Sequence, residues 1–273
     1  MSDDVIAGIV IELRESRKYR DLSAGVLERT ARWAYERYAH GDAVKAAKRK
    51  LHQVYAAYCP PGAIARLTRL INALPNPESL EFRNHCREIL RGHASTAERL
   101  PNLETLYPAL WKLTGPPKSV LDLACGFHPF ALPWMHLPPD TNYVPCDIDD
   151  RLAGQINRFL VHLGRPATAR CIDALGAIPK GNFDVALLLK SLPCLEQQEP
   201  GCSARILRSI PAKHVIVSFP TASLGGKHKG MREHYGRALT DLARELETEL
   251  RVFEFPGEVA AVWSGIGLKQ NSC

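Results

Sequence analysis

The chain has 273 residues, a formal net charge of +6 and 45% hydrophobic residues. This length fits one large domain or a medium-sized domain with a smaller partner, and the hydrophobic content excludes a disordered chain. The apolar runs, such as residues 185–189, are too short to span a bilayer, and the first residues lack a basic segment followed by an apolar one. We therefore expect no membrane segment, no secretory signal and a cytoplasmic location.

The eight cysteines are scattered through the chain, without a Cys-x-x-Cys pair. Cys125, Cys146 and Cys171 lie in apolar runs, which is typical of reduced, buried thiols. No spacing of Cys and His in the sequence resembles a zinc site or an iron–sulfur cluster. The sequence therefore predicts neither a disulfide framework nor a metal site.

Residues 1–92 predict a helical domain. Capping residues and the period of the apolar positions place helices over residues 23–39, 42–58, 64–74 and 78–91. The segment Cys-Pro-Pro-Gly at residues 59–62 ends the second of these helices. A capping box at residues 95–98 predicts the start of a further helix, with Pro101 in its second turn.

Positive charge is concentrated in the first fifty residues. Between Arg14 and Lys50 there are 11 Lys and Arg against 5 Asp and Glu, a local charge of +6. Such a patch is expected in a protein that contacts a phosphate backbone. Solvated helix faces explain the same charge about as well, so charge alone leaves both interpretations open.

After residue 115 the pattern changes, and short apolar runs alternate with helical segments. The predicted strands are residues 119–123, 143–146, 169–172, 185–189, 215–219, 251–255 and 259–263, with helices over 151–163, 203–209 and 231–250. This alternation predicts an α/β fold, an open and mostly parallel Rossmann-like sheet that follows the N-terminal α-helical domain. We assign residues 93–273 to it, and ligands of such sheets bind beyond the carboxyl ends of the strands.

Three acidic residues follow three successive predicted strands. Asp122 ends the first strand and precedes the small residues Ala124 and Gly126, which let a ligand approach the backbone closely. The chain lacks the G-x-G-x-x-G cradle for a pyrophosphate, which suits a ligand without phosphate. Asp147 is placed to accept ribose hydroxyls, and Asp173 to meet an adenine amino group. Together they favour S-adenosylmethionine (SAM) as the cofactor over another ligand of a doubly wound sheet.

The sequence resembles a known family, the aminoglycoside-resistance methyltransferases that modify guanine N7 in the decoding A-site of 16S rRNA. The segments that carry the resemblance are residues 16–20, 48–52, 93–100, 122–126, 146–149, 187–196, 218–226 and 229–231. Their order and spacing also fit the family. The resemblance implies a SAM-dependent rRNA methyltransferase that confers aminoglycoside resistance and acts as a monomer on the 30S subunit.

The resemblance also implies roles for individual residues. Arg99 would bind the methionine carboxylate of SAM, for which a guanidinium fork is well shaped. Lys190 would face the target pocket, and no general base is expected. The full set of cofactor-binding residues implied is His93, Arg99, Asp122, Ala124, Gly126, Asp147, Ile148, Asp173 and Leu189.

The N-terminal helices and a later loop are implied to contact RNA. The basic helices would dock on rRNA by shape, and the loop at residues 220–231 would grip the flipped nucleotide. The residues expected to bind RNA are Arg17, Lys18, Arg20, Lys45, Lys48, Arg49, Lys50, Lys227, Lys229 and Met231.

The sequence departs from the family pattern at two places. The last strand reads Glu258-Val259-Ala260-Ala261 where relatives have Glu-Leu-Ile-Tyr, so the loss of an aromatic there predicts altered packing. His128 stands beside the cofactor loop where relatives have Asn.

Guanine N7 carries a lone pair, so its methylation needs alignment and charge stabilisation rather than a base. The target base must leave its stack, and aromatic or Arg faces can receive it. Phe127 and Tyr235 are weak candidates for that stacking residue.

Three alternatives stay open at this stage. Pro193-Cys194 is typical of cytosine-5 methyltransferases, in which a thiolate attacks the base, although a packed thiol explains it more simply. A non-catalytic RNA-binding protein on this fold would not need its cofactor-binding residues, Asp122, Gly126, Asp147 and Arg99. A small-molecule methyltransferase, with the helical region as a lid, would not need the basic cluster.

Overall fold

The computed structural model describes residues 2–221 and 231–265. Lys227 and Lys229, which were expected to bind RNA, lie outside the described residues. Met231 begins a described helix, but only its backbone is described.

The chain begins with three helices that form their own core. They are α1 (Ser2–Glu15), α2 (Ala24–Arg37) and α3 (His40–Leu51), and a π-helical turn (His52–Ala56) follows α3 directly. Apolar side chains from all three helices are buried against one another, including Ile9, Leu13, Leu27 and Leu51. The helix α1 was not predicted, and the segment at residues 42–58 divides into α3 and the π-helical turn.

Five further helices follow in chain order. They are α4 (Ala63–Asn72), α5 (Leu80–Leu90), the single turn α6 (Ala94–Ala97), α7 (Leu103–Thr114) and the short α8 (Leu132–Met135). The prediction of a capping box at residues 95–98 is wrong. His93 is the residue before the first turn of α6, and Ser95 lies inside that turn. The Ser95 hydroxyl instead lies 3.0 Å from His93 Nδ1.

Seven strands form one sheet. They are β1 (Ser119–Leu123), β2 (Asn142–Asp147), β3 (Arg170–Cys171), β4 (Phe183–Leu189), β5 (Ala212–Pro220), β6 (Leu250–Phe255) and β7 (Glu258–Ser264). Their order is β3-β2-β1-β4-β5-β7-β6, and β7 runs antiparallel between β5 and β6 while the other neighbours are parallel. The predicted α/β fold with its mostly parallel sheet is confirmed, and every strand lies where the apolar runs placed it.

Four more helices lie within the described residues. They are α9 (Asp150–His162), α10 (Leu192–Gln198), α11 (Cys202–Ser209) and α12 (Met231–Glu245). Asp149 caps α9, because its carboxylate accepts hydrogen bonds from the backbone N–H groups of Arg151 and Leu152. This cap ties the start of α9 to the end of β2.

The sheet separates two hydrophobic cores, because side chains alternate between its faces. In β4, Val185, Leu187 and Leu189 pack with α4, α5, α7 and α9, while Ala186 and Leu188 pack with α10, α11 and α12. The helices α4 and α5 therefore share a core with the sheet, whereas α1–α3 have a core of their own. The division of the chain at residue 92 stays a prediction.

Two alanines occupy the middle of the last strand, β7. Ala260 faces one core and Ala261 the other, and both are fully buried. Trp263 fills the second core two residues later on the same face as Ala261.

Candidate cofactor and target site

A cavity opens at the carboxyl ends of β1, β2 and β4, where the strand order changes direction, and such crevices are the ligand sites of open α/β sheets. Its walls come from these strand ends, from α9 and α10, and from the segment that follows α3. The residues that line it are Val54, Tyr55, Tyr58, Cys59, His93, Ser95, Ala124, Gly126, Asp147, Ile148, Leu152, Asp173, Ala174, Leu189, Lys190, Ser191, Cys194, Leu195 and Gln198.

The turn after β1 has a backbone conformation that side chains rarely adopt. Ala124 has φ +50° and Gly126 has φ +52°, both in the left-handed region. A Cβ atom on Gly126 would lie 3.0 Å from the ring of His93, so only glycine lets the loop and this ring meet. Burial and the charge of Arg99 lower the pKa of His93 to about 4. The ring is therefore neutral at pH 7 and adds no positive charge to the cavity.

Asp147 forms the floor of the cavity at the end of β2. One carboxylate oxygen accepts the N–H of Gly126 at 2.8 Å, and the other accepts the N–H of Asp149 at 3.1 Å. Burial raises its pKa to about 6, although these backbone N–H groups partly oppose the shift. The two contacts fix the carboxylate and leave lone pairs on both oxygens for hydroxyl donors.

The helical unit α1–α3 reaches over one end of the cavity. Arg29 of α2 forms an ion pair with Asp173, and the hydroxyl of Tyr55 donates a hydrogen bond to Asp149. The backbone N–H of Ser23 donates to the carbonyl of Ile148 at 2.8 Å. The ends of β2 and β3, which are predicted to bind the ribose and the adenine, are therefore both in contact with the N-terminal helical region.

At the other end of the cavity, Lys190 belongs to a network of two cations and two carboxylates, of which only Lys190 lines the cavity. Lys190 Nζ lies 2.7 Å from Glu98 Oε2 and 3.7 Å from Glu258 Oε2. Glu258 also accepts two hydrogen bonds from Arg99, at 2.6 and 2.9 Å. Burial alone would raise the pKa of Glu258, but the charges of Arg99 and Lys190 lower it below its ordinary value.

Lys190 itself has an unusual backbone. Its φ is +59°, and its N–H lies 3.0 Å from both the carbonyl and the hydroxyl oxygen of Ser218. A non-glycine residue in this region costs about 1–3 kcal/mol, and such strain clusters at functional sites. The side chain of Lys190 is buried and lies between Glu98 and Glu258 rather than in solvent.

Asp122 lies beneath the cavity instead of in its wall. One of its oxygens contacts His128 Nδ1 at 2.7 Å and accepts the hydroxyl of Tyr143 at 2.5 Å, while His128 Nε2 lies 2.9 Å from the hydroxyl of Tyr107. Its second oxygen, Oδ1, is buried without a hydrogen-bond partner in the part of the chain that the structure describes. His128 therefore supports Asp122 from below and does not line the cavity.

Comparison with known proteins decides the family. A model described as ribosomal RNA methyltransferase (FmrO) matches residues 15–251. The chain belongs to the FmrO family of ribosomal RNA methyltransferases. A Micromonospora echinospora relative named 16S rRNA (guanine(1405)-N(7))-methyltransferase is 35% identical over 266 residues, which cover 95% of this chain and 97% of the relative.

Two solved structures have the same fold over nearly the whole chain. The 16S rRNA methyltransferase RmtF, in complex with S-adenosyl-L-homocysteine, matches with a TM-score of 0.81 and 30% identity, covering 95% of this chain and 98% of that one. The 16S rRNA methylase RmtB matches with a TM-score of 0.79 and 27% identity at the same coverages. The resemblance seen in the sequence motifs is confirmed.

The structure brings most of the predicted cofactor residues of this FmrO family member to one cavity. His93, Ala124, Gly126, Asp147, Ile148, Asp173 and Leu189 line it, together with Lys190. Arg99 and Asp122 do not line it, because Arg99 is engaged by Glu258 and Asp122 by His128 and Tyr143. Their roles toward a cofactor stay predictions.

The predicted RNA-binding residues of the N-terminal region lie on α3 or between α1 and α2, and none of them lines the cavity. We call the exposed side chains of this region the outer face of α1–α3. Arg17, Arg20, Lys45 and Arg49 are exposed, while Lys18, Lys48 and Lys50 are half-buried. Within residues 2–221 and 231–265, no carboxylate lies within 4.0 Å of Arg17, Lys45, Lys48 or Arg49. Lys50 is an exception to this outward pattern, since it contacts the carbonyl of Gln197 and the ring of Trp33.

The segment after α3 contributes side chains to the cavity that the sequence did not predict. Tyr55, Tyr58 and Cys59 line the cavity, but they were assigned to the apolar face of a helix or to its stop signal. Two tyrosines on the same helical stripe were the available signal, because buried tyrosines usually find a hydrogen-bond partner. Glu258 was noted only as part of a strand pattern, and its contacts with Arg99 and Lys190 were not foreseen.

The structure also places the two proposed stacking residues. Phe127 is buried between His93 and Phe130 and does not line the cavity. Tyr235 packs on Phe219 at a ring distance of 4.8 Å and lines a separate groove between α10, α11 and α12. Neither aromatic ring faces the cavity described above.

Cys194 does line the cavity, at the start of α10. Burial raises the pKa of its thiol, although contact with Tyr58 partly opposes the shift. A raised pKa disfavours the thiolate that a covalent mechanism requires. The seven described cysteines are all free.

Two predicted absences concern metals and membranes. Within the described residues, no group of three or more His, Cys, Asp or Glu side chains could hold a metal ion. No helix in the same part of the chain is both long and apolar enough to cross a bilayer.

Proposed function

We propose that the protein is a SAM-dependent methyltransferase of guanine N7 in the decoding A-site of 16S rRNA, and that the modification confers aminoglycoside resistance. The observation that carries this proposal is the cavity at the ends of β1, β2 and β4 in a member of the FmrO family. The M. echinospora relative, which covers almost the same length, has this activity in its name.

The residues in the cavity fit SAM. Asp147 offers two fixed carboxylate oxygens to the ribose, and Asp173 lies at the next strand end for the adenine amino group. The left-handed turn at Ala124 and Gly126 keeps side chains away from the ligand. Oδ1 of Asp122 has no hydrogen-bond donor within the described residues, and Asp122 is the proposed partner of the ammonium group of SAM. Arg99 remains the proposed partner of the methionine carboxylate.

Bound SAM supplies an electrophilic methyl group, which passes from its sulfonium sulfur to guanine N7 as the carbon–sulfur bond breaks. The N7 lone pair forms the new bond, so no proton has to be removed. The residues of this chain would therefore act by alignment and charge balance. Lys190, held by Glu98 and Glu258, is the proposed donor to the guanine O6 acceptor beside N7. The neutral ring of His93 avoids repulsion of the positive sulfonium.

The outer surface of α1–α3 is the proposed rRNA-docking face. Three of its exposed cations, Arg17, Lys45 and Arg49, have no carboxylate partner within the described residues, so phosphates can take that place. We propose the assembled 30S subunit in the cytoplasm as the substrate, and a monomer as the acting form.

Primer extension tests the proposed reaction directly. Ribosomal RNA from a susceptible bacterium expressing the protein is treated with borohydride and aniline, which cleave the strand at N7-methylguanine. Scission at the decoding-site guanine is the expected result. Absence of scission with intact cofactor binding would contradict the proposed target.

A cytosine-5 methyltransferase is the second candidate, because Cys194 lines the cavity. The variant Cys194→Ala separates the two reactions. Guanine N7 methylation should persist in this variant, whereas a covalent cytosine mechanism would lose all activity.

A further inference from the structure

Arg29 of α2 contacts the wall of the cavity from the N-terminal helical region. Its Nη1 forms the ion pair with Asp173, and its Nη2 donates a hydrogen bond to Gln198 Oε1 at 3.3 Å. Asp173 and Gln198 both line the cavity, whereas Arg29 does not. A single side chain of α2 therefore holds two residues of the wall, one just after β3 and one at the end of α10.

Helix α2 lies directly against the carboxylate of Asp173. Gly25 is one turn before Arg29 on the same face of the helix, and a Cβ atom on it would lie 3.4 Å from Asp173 Oδ2. The other oxygen, Oδ1, accepts the N–H of Leu175 at 3.0 Å. Each of these donors uses one lone pair, so either oxygen keeps a second lone pair for a ligand.

The amide of Gln198 is already engaged at both of its ends. Its Oε1 accepts from Arg29, and its Nε2 donates to the carbonyl of Cys194 at 3.3 Å. This arrangement favours the carboxylate of Asp173 over the Gln198 amide as the acceptor for an adenine amino group.

We infer that Arg29 is a positioning residue of the cofactor site, which orients and charge-balances the Asp173 carboxylate for the adenine amino group. The inference rests on the proposed function, in which Asp173 binds the adenine. A bound adenine excludes water from Asp173, which is already buried, and a buried carboxylate is costly unless a cation compensates it. The guanidinium fork supplies that charge and fixes the direction of the carboxylate at the same time.

The positioning residue belongs to the helical region and not to the sheet. Helix α2 packs with α1 and α3 in a core of its own, and the exposed cations of the same helices form the proposed docking face. The adenine end of the cofactor site is therefore completed by the part of the chain that is proposed to dock on rRNA.

A double-mutant cycle on S-adenosylhomocysteine binding tests the inference, and calorimetry gives each Kd. We expect Asp173→Asn to raise the Kd roughly 10- to 150-fold and Arg29→Met to raise it about 5- to 20-fold. The double variant should bind no more than about twofold more weakly than Asp173→Asn, because Arg29 acts through the carboxylate that this variant lacks. Additive losses would overturn the inference, since Arg29 would then act independently of Asp173.

A second ligand separates the orientation of the carboxylate from a general change in the shape of the cavity. The S-adenosylhomocysteine analogue with hydrogen in place of the adenine 6-amino group cannot donate to Asp173. Arg29→Met should therefore weaken binding of S-adenosylhomocysteine at least about threefold more than binding of this analogue. Equal weakening of the two ligands would contradict a positioning role.

Two further variants of α2 serve as controls. Arg32→Met removes an exposed guanidinium whose distance to Asp3 is 3.9 Å, and this variant should bind both ligands like the wild type. Arg29→Lys keeps the charge, and its Kd for S-adenosylhomocysteine should stay within about threefold of the wild type. A Kd as weak as that of Arg29→Met would refute charge balance. If thermal melting shows that Arg29→Met does not fold, the same cycle with Arg29→Gln decides, and additive losses again overturn the inference.

Failure of the inference and failure of the proposed function give different results. If Asp173→Asn binds S-adenosylhomocysteine like the wild type, the proposed adenine contact and this inference are both overturned. If Asp173→Asn weakens binding and Arg29→Met does not, the inference is overturned and the proposed cofactor site stands. Primer extension with the wild type reports N7 methylation separately from both results.

Discussion

The polar groups around the cavity and the cations on the outer face of α1–α3 are held in opposite ways. Asp147, Lys190 and Arg99 are buried, and each has partners that fix its position. Arg17, Lys45 and Arg49 are exposed, and no carboxylate of the described chain fixes them. Buried polar groups cost free energy when a partner is lost, whereas exposed charges cost little.

This difference predicts how each of the two surfaces responds to a substitution. A single change in the cavity should act strongly, since the remaining partner stays buried and unpaired. A single change on the outer face should act weakly, because the remaining cations still attract phosphate. Four predictions test this contrast.

Glu258→Ala should cause the largest loss of stability. The change leaves Arg99 buried without its carboxylate, and breaking a buried ion pair costs about 3–5 kcal/mol. Urea or thermal unfolding measures the loss. Glu249→Ala, at an exposed position, is the matched control and should change stability by less than about 0.5 kcal/mol. Equal effects of the two variants would refute the contrast.

Asp147→Asn should mainly weaken cofactor binding. A hydrogen bond to a charged group contributes about 1.5–3 kcal/mol, so we expect the Kd for S-adenosylhomocysteine to rise roughly 10- to 150-fold. Isothermal titration calorimetry measures it. Asp140→Asn, on an exposed loop, should bind like the wild type. Unchanged affinity in Asp147→Asn would remove this carboxylate from the cofactor site.

Single replacements of Arg17, Lys45 or Arg49 by Ala should weaken binding to 30S subunits only a few-fold each. Each removed cation should also reduce the slope of log K against log salt by about 1, because fewer counterions are released. Filter binding at several salt concentrations gives both values. Lys118→Ala, an exposed position just before β1 and so at the amino end of that strand, away from the cavity, should leave the slope unchanged. A slope unaffected by all three replacements would place the RNA elsewhere.

The smallest expected effect is a pH dependence of cofactor affinity. Burial raises the pKa of Asp147 to about 6, so this group becomes protonated as the pH falls from 7 to 5. The neutral acid accepts hydroxyl donors less well, and affinity for S-adenosylhomocysteine should therefore fall through pH 6. The raised pKa has the opposite effect on folding, since burial of the charge destabilises the native state at higher pH and protonation relieves it.

Calorimetry between pH 8 and pH 5 measures this dependence. Asp147→Asn cannot titrate at this position, so its affinity curve should be flatter than that of the wild type. Parallel curves for the two proteins would assign the pH dependence to another group.

The amino-acid sequence by itself determined the strands, the sheet class and most of the cavity. Strand positions followed from short apolar runs, because a strand buried on both faces needs apolar side chains throughout. Asp147 and Asp173 could be predicted as cavity residues, since the carboxyl ends of parallel strands meet at one edge. The basic outer face was equally visible, because exposed cations depend only on local helix geometry.

Only the tertiary structure decided which groups hold the site together. Glu258 and Arg99 are 159 positions apart, and Arg29 and Asp173 are 144 apart, so neither pair could be read from local spacing. Tyr58 lines the cavity because α3 is followed by a π-helical turn that lies against the strand ends. Such contacts depend on how separate elements pack, which a one-dimensional pattern of apolar and polar residues does not encode.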